Sequence, residues 1–165
     1  MLARALWARG RPSAAAGRPQ ANKGVAVAYF KDEQEVYRYI GRLFLDLMED
    51  DELMPKFRRA NTIVKYAFRN PDSTITVRMR EDAEPQVDLG HSDLDPEVVM
   101  TMDADIAHRF WLGQVNVPVA LARGQMKAQG PVAKVLKLLP LVKPVFPRYK
   151  AQLEAAGRAD LVEAA

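Results

Sequence analysis

Catalysis needs a nucleophile, an acid–base pair or a set of metal ligands, and this chain is poor in all three. Cysteine is absent, which removes thiolate ligands, thiol nucleophiles and disulfides together. The imidazoles are His91 and His108 alone. A serine hydrolase holds Ser, His and an acid in one constellation, yet Ser73 and Ser92 both stand in turn sequences without the Gly-x-Ser-x-Gly elbow that exposes a nucleophile. His108 lies beside Arg109 in a short helical stretch and reads as a packed or surface residue. The loop holding His91, Asp93 and Asp95 could in principle ligate a cation, but no second cluster stands at metal-ligand spacing, and Asp95 before Pro96 is a turn opener. Glu49, Asp50, Asp51 and Glu52 are consecutive carboxylates that diverge on any regular backbone, so this run reads as a solvated turn. The expectation is a protein with no catalytic residue, no metal and no cofactor. Its chemistry must then lie in its apolar side chains.

Composition agrees with that class. The 165 residues are 48% hydrophobic and 27% charged, suited to one globular domain, and no run approaches the roughly 18 apolar residues of a membrane span. The net charge of +3 is set by the start of the chain, where Arg4, Arg9, Arg11, Arg18 and Lys23 stand with no acid in the first 24 residues. The rest carries a small negative balance, and no aromatic residues interleave those arginines, so nucleic-acid binding is not expected. Residues 1–28 are rich in Ala, Arg, Gly and Pro without apolar periodicity and are expected to form a disordered basic arm. Their composition is partly that of a transit peptide, but the stretch is short and has one serine. A secretory signal is not expected, because Arg4 and Arg9 bracket its only apolar cluster. The last residues do not form a Ser-Lys-Leu type address, so a cytoplasmic rather than a peroxisomal location is expected.

The elements that must position the apolar residues begin at Asp32. Asp32 and Glu35 form a capping box, and Val36, Ile40, Leu43, Phe44 and Leu47 then recur on one face, which predicts a core-facing helix over 33–49. From Thr62 the period becomes two. Val64, Tyr66 and Phe68 face one way, a turn follows at Asn70, Pro71, Asp72 and Ser73, and Ile75, Val77 and Met79 alternate in the returning strand of a hairpin. Val87 and Leu89 give a short third strand. Residues 98–102, apolar on both faces, give a fourth that should be central.

Asp103 should cap a short helix with Ile106, Phe110 and Trp111 on its inner side. Gly113 and Gly124 suit helix ends, Pro118 suits a first turn, and Met126 and Ala128 face inward from a fifth strand while Gln125, Lys127 and Gln129 face out. After Pro131 an apolar helix is cut by Pro140, Pro144 and Pro147, and a last helix is expected over 148–156.

This order of a turn glycine at Gly90, the strand opened by Asp95 and Pro96, the short helix ending Phe110, Trp111, Leu112 and Gly113, then Pro118, Ala120, Leu121, Gly124 and the strand ending at Gly130 resembles the sterol carrier protein type 2 domain. The resemblance covers about residues 32–140. Leu121, where the family usually has Phe, and Pro131, where a small polar residue is common, depart from its pattern.

The resemblance implies an α+β fold: a five-stranded, mainly antiparallel sheet with helices covering one face. It also implies non-catalytic carriage of a fatty acyl chain or sterol-like molecule in a hydrophobic tunnel. The lipid-binding residues expected on the helices are Phe44, Leu47, Phe110, Trp111, Leu121, Leu136 and Leu139; those on the strands are Val64, Tyr66, Ile75, Val77 and Met126.

The domain expectation is the arm over 1–28, the lipid-binding domain over 29–140, and a Pro-broken segment over 141–165 that could act as a lid. Lys134, Lys137, Lys143, Arg148 and Lys150 give this tail a basic side suited to transient contact with an anionic membrane surface. An accessory role, presenting an apolar substrate to a partner enzyme, is the alternative.

Overall fold

The computed structural model describes residues 28–164, so the basic arm expected over 1–28 lies outside the described residues except for Ala28. The first helical rod runs unbroken through α1 (Glu33–Val36), a π-helical turn (Tyr37–Gly41) and α2 (Arg42–Met48). Its start is fixed by the expected cap. The Asp32 carboxylate accepts from the Glu35 N–H at 2.9 Å, while Glu35 reaches back one residue further, to the Lys31 N–H at 2.9 Å. Val36, Ile40, Leu43, Phe44 and Leu47 are all buried.

The acidic run that follows is more than a solvated turn. Asp50 accepts from the backbone N–H groups of Glu52 and Leu53 at 3.0 and 2.7 Å, and also pairs with Arg148. Those bonds launch α3 (Met54–Arg58), with Pro55 in its first turn. The sequence pattern does not predict this helix.

Five strands form one sheet in the order β3-β2-β1-β4-β5. β1 (Thr62–Arg69) and β2 (Ser73–Met79) make the expected hairpin, and β3 (Gln86–Leu89) continues it antiparallel. β4 (Val98–Asp103) lies parallel to β1, which the intervening two strands allow by serving as the crossover. β5 (Met126–Gln129) closes the edge antiparallel to β4. The sheet is therefore mixed and mainly antiparallel. Its central strand is β1, not β4 as expected, although β4 is interior and paired on both sides.

The register puts Val64, Tyr66 and Phe68 on the same face as Ile75, Val77, Met79, Met100, Met102 and Met126. Helices cover this face. Lys65, Arg78, Thr101 and Lys127 stand on the other, where Thr76 is buried between Lys65 and Asp88 in the ladder.

Asp103 precedes α4 (Ala104–Trp111) as expected, but its side chain does not cap the helix. It faces Arg69 across the β1–β4 pair, with the charges 3.2 Å apart, and that ion pair competes for the carboxylate. α5 (Val117–Ala122) has Asn116 as cap, accepting from the Val119 N–H at 3.1 Å. Gly113 and Gly124 end these helices at φ of +78° and +72°, a region that strains any residue with a Cβ.

The tail is divided by its prolines into α6 (Val132–Leu136), α7 (Leu139–Val142), a 3-10 turn (Lys143–Val145), α8 (Phe146–Ala155) and α9 (Ala159–Glu163). α8 starts two residues earlier than expected because Pro147 fits its first turn, and α9 was not foreseen. Val145, Tyr149, Leu153 and Leu161 are buried in the same core as the sheet and first helix.

Candidate functional site

Between the inner face of the sheet and the helices lies a cavity of about 70 Å3. Eight of the twelve residues expected to bind lipid line it: Phe44, Leu47, Tyr66, Val77, Phe110, Trp111, Met126 and Leu139. The other four do not. Val64 and Ile75 are fully buried in packed core outside the lining, although their ladder partners Val77 and Tyr66 belong to it. Leu121 is half-buried on α5, outside the lining. Leu136 points away and is among the most exposed large apolar side chains of the described residues, 36% exposed.

For Leu136 the reason is helical phase. Val135, Leu138, Leu139 and Val142 recur at i, i+3, i+4 and i+7 and form the wall, and Leu136 falls off that stripe.

The lining residues that sequence reasoning missed carried usable signals. Phe68, Met79, Met100 and Met102 follow from strand alternation once β1 and β4 are placed side by side. Met54 and Phe57 stand three apart on α3, which went unrecognised. Met48, Ala107 and Val117 complete helix faces already assigned.

Aromatic and methionine side chains share the lining. The aromatic rings are in a chain: Tyr66 is 5.3 Å from Phe44 between ring centres, Phe44 stands edge-on to Trp111 at 5.4 Å, and Phe110 is 4.9 Å from Trp111. The methionines come from both the helices and the sheet. Six of the chain's seven methionines, Met48, Met54, Met79, Met100, Met102 and Met126, line this one cavity.

No lining side chain is charged, and the polar groups among them are the Tyr66 hydroxyl and the Trp111 indole N–H. Burial pushes the Tyr66 phenol above its ordinary range, so it stays neutral.

The groups that could do acid–base chemistry lie elsewhere. His91 and Asp93 pair at 3.1 Å in a loop where both are almost fully exposed. Ser73 donates to the Pro71 carbonyl at 3.2 Å, and Ser92 to Asp88 at 2.6 Å, so both serines act as turn residues. Among the described residues no group of three His, Asp or Glu side chains is gathered as a metal site.

His108 is fully buried, 2.8 Å from the Tyr149 hydroxyl through Nδ1 and 2.8 Å from the Leu161 carbonyl through Nε2. A carbonyl only accepts, so Nε2 carries the proton and Nδ1 accepts from Tyr149. Burial first, and the Arg158 charge in addition, hold this imidazole below its usual pKa, against the bond to Leu161, which raises it. It is a packed histidine, as expected.

No family model matches the sequence, and no curated protein matches it. Solved structures do. A sterol carrier protein 2 of Yarrowia lipolytica in its apo form is 16% identical, with 64% of this chain and 88% of that one covered and a TM-score of 0.55. A sterol carrier protein domain 2 of Helicoverpa armigera is 19% identical over 74% of this chain and 96% of that one, at a TM-score of 0.56. A ubiquinone synthesis protein, UbiJ-SCP2, is 15% identical over 68% of this chain and 92% of that one, at 0.50. At these identities the likeness is one of fold, and the fold of this chain is that of sterol carrier protein 2.

Proposed function

We propose that this protein is a non-catalytic binder and carrier of a lipid or other long apolar molecule, held between the sheet and the helices. The observation that carries this reading is the gathering of six of seven methionines around one apolar cavity. Thioether side chains are unbranched and repack at low cost, so a wall built of them adapts to an occupant. Adaptation is needed. About 70 Å3 is well under the roughly 300 Å3 at which small-molecule pockets begin, so a chain enters only as the methionines and the short α6–α7 segment move aside. The gain is sufficient: each buried methylene contributes about 0.8 kcal/mol, so ten supply roughly 8 kcal/mol before ordering costs, enough for useful affinity without a polar contact.

The fold shared with solved sterol carrier proteins supports the same reading. The solved UbiJ-SCP2 structure, named for ubiquinone synthesis, favours the second one, in which the domain presents an apolar substrate to a partner enzyme. Membrane contact by the tail would rest on Lys137, Lys143 and Lys150, since Lys134 is held by Glu97 at 2.8 Å and Arg148 by Asp50.

Native mass spectrometry of freshly purified protein tests the proposal. A non-covalent adduct of lipid mass, removable by organic extraction, is the expected result, with uptake of Nile red by the extracted protein. A folded sample that shows neither overturns it.

A further inference from the structure

Charge is unevenly divided along this chain. Between Asp105 and Glu154 no Asp or Glu occurs, while eight Lys or Arg do; residues 28–105 hold 18 acids against ten Lys or Arg. The fold keeps the two parts largely separate. The first helical rod lies on the β2–β3 end of the sheet, with Leu89 against Gly41 and the Tyr37 hydroxyl on the Thr74 N–H. The acid-free part runs from the end of α4 through α5 and the edge strand β5 into α6, α7 and α8. Two of its cations stand where the parts meet, Lys134 on Glu97 at 2.8 Å and Arg148 on Asp50. Arg123, Lys137 and Lys143 are exposed and make no ion pair among the described residues. Of the three large apolar side chains exposed among the described residues, Val119 at 41% and Leu136 at 36% belong to this part, one turn before Arg123 and next to Lys137; Leu45, at 40%, is on the first rod. Val117 of α5 and Val135 of α6 line the cavity together, so both helices belong to its wall.

Taking the lipid-carrier reading as given, we propose that the acid-free part is a docking surface for an anionic lipid membrane, with Leu136 and Val119 entering the headgroup region and Arg123, Lys137 and Lys143 held by lipid phosphates beside them. A membrane presents its phosphates without a fixed geometry, which flexible cationic side chains meet while their methylenes lie along apolar groups. Interfaces between proteins are depleted in lysine and match charges of both signs, and here no carboxylate stands ready for a partner's cations. The acids of residues 28–105 are repelled by the same membrane, so one side of the molecule is favoured in the approach. That side carries α6 and α7, the short helices on the cavity wall. Each cation brought to an anionic leaflet gains about fivefold in partitioning, and the gain falls with salt.

The chain has no cysteine, so a single introduced one takes an environment-sensitive nitrobenzoxadiazole label at a known position. Full-length Leu136→Cys, Val119→Cys and Leu45→Cys, each labelled, are mixed with vesicles of phosphatidylcholine, alone or with about one-third phosphatidylglycerol. The labels at 136 and 119 are expected to brighten and shift to the blue on the anionic vesicles only, and the label at 45 to keep its value in water. Lys137→Glu with Lys143→Glu should weaken vesicle binding about 25-fold or more, whereas Arg38→Glu, at an exposed cation of the first rod, should change it only about twofold. Absence of binding to the anionic vesicles overturns the proposal. Binding in which the label at 45 responds as strongly as that at 136, or in which neither responds, assigns the contact to the arginines of the first 24 residues or to another face and overturns it too. So does a stronger response of the 136 label to polyglutamate than to the anionic vesicles, the outcome expected for an acidic protein partner. None of these readings depends on an occupied cavity, so failure of docking leaves the carrier function standing.

Discussion

His108 is the residue on which the C-terminal helices close. Its two nitrogens are spent on Tyr149 of α8 and the Leu161 carbonyl of α9, and its ring touches Tyr29 at 4.8 Å and Phe30 at 5.3 Å between centres. It thus ties the first described residues, α4 and the tail into one buried knot. His108→Leu keeps most of the volume but leaves the Tyr149 hydroxyl and the Leu161 carbonyl unpaired, so a destabilisation of roughly 2–4 kcal/mol is expected in denaturant melts. The pH dependence gives a second readout. The folded-state pKa is below the unfolded value of about 6.5, so as pH falls through that value the unfolded chain takes up a proton that the folded chain does not. Stability is therefore fully present above about pH 6.5 and is lost progressively toward the lower folded pKa. Asp50 and Glu97, held low mainly by Arg148 and Lys134, act below the ordinary carboxylate range and outside this window. Asp105, which burial pushes up, works in the opposite sense, but it is common to both proteins. The difference in stability between wild type and His108→Leu should thus shrink between pH 7 and 5; a constant difference would show that His108 is not the titrating group.

At the scale of elements, the cavity wall can be tested by contrast. Ala107 on α4 lines the cavity and is 3% exposed, whereas Leu121 on the next helix stands outside the lining. Ala107→Leu adds side-chain volume where space already exists, so loss of Nile red uptake is expected with the melting temperature moved by only a few degrees. Leu121→Trp, which the sequence alone would nominate as the blocking change, is expected to leave uptake intact. Reversal of that pair would place the ligand against α5 instead.

The same contrast shows where the sequence was readable. Strand alternation and helix stripes exposed the sheet's inner face, and with it Tyr66, Val77 and Met126, because period and burial are local properties. The partnership of β1 with β4 is not local. Without it Met100 and Met102 had no visible neighbour, and residues 98–102 read as a strand apolar on both faces. Helical phase failed at Leu136 for a related reason: after Pro131 the residues Val132, Val135, Leu136, Leu138 and Leu139 are all apolar, so the inner face is chosen by what the helix packs on.

On the scale of the whole molecule, the walls of the cavity are unequal in strength. The sheet contributes strands with ladder hydrogen bonds on both sides at β1, β2 and β4, and the first helical rod buries a continuous stripe against it. Val135, Leu138, Leu139 and Val142 sit on α6, α7 and the turn between them, helices of five and four residues with Pro140 in the first turn of the second. Helices that short have little stability of their own and depend on the contacts of their apolar stripe. Local opening should therefore begin there, with Lys134 held to Glu97 at one end and Arg148 to Asp50 at the other acting as the hinges of a flap. Amide hydrogen exchange tests this directly. In delipidated protein the α6–α7 amides are expected to exchange well ahead of those in β1 and β4, and occupation of the cavity by a lipid should slow them more than any other segment. Exchange of α6–α7 at the rate of the central strands, unaffected by ligand, would place the route into the cavity elsewhere, and α3, another short helix on the lining, would be the next wall to examine.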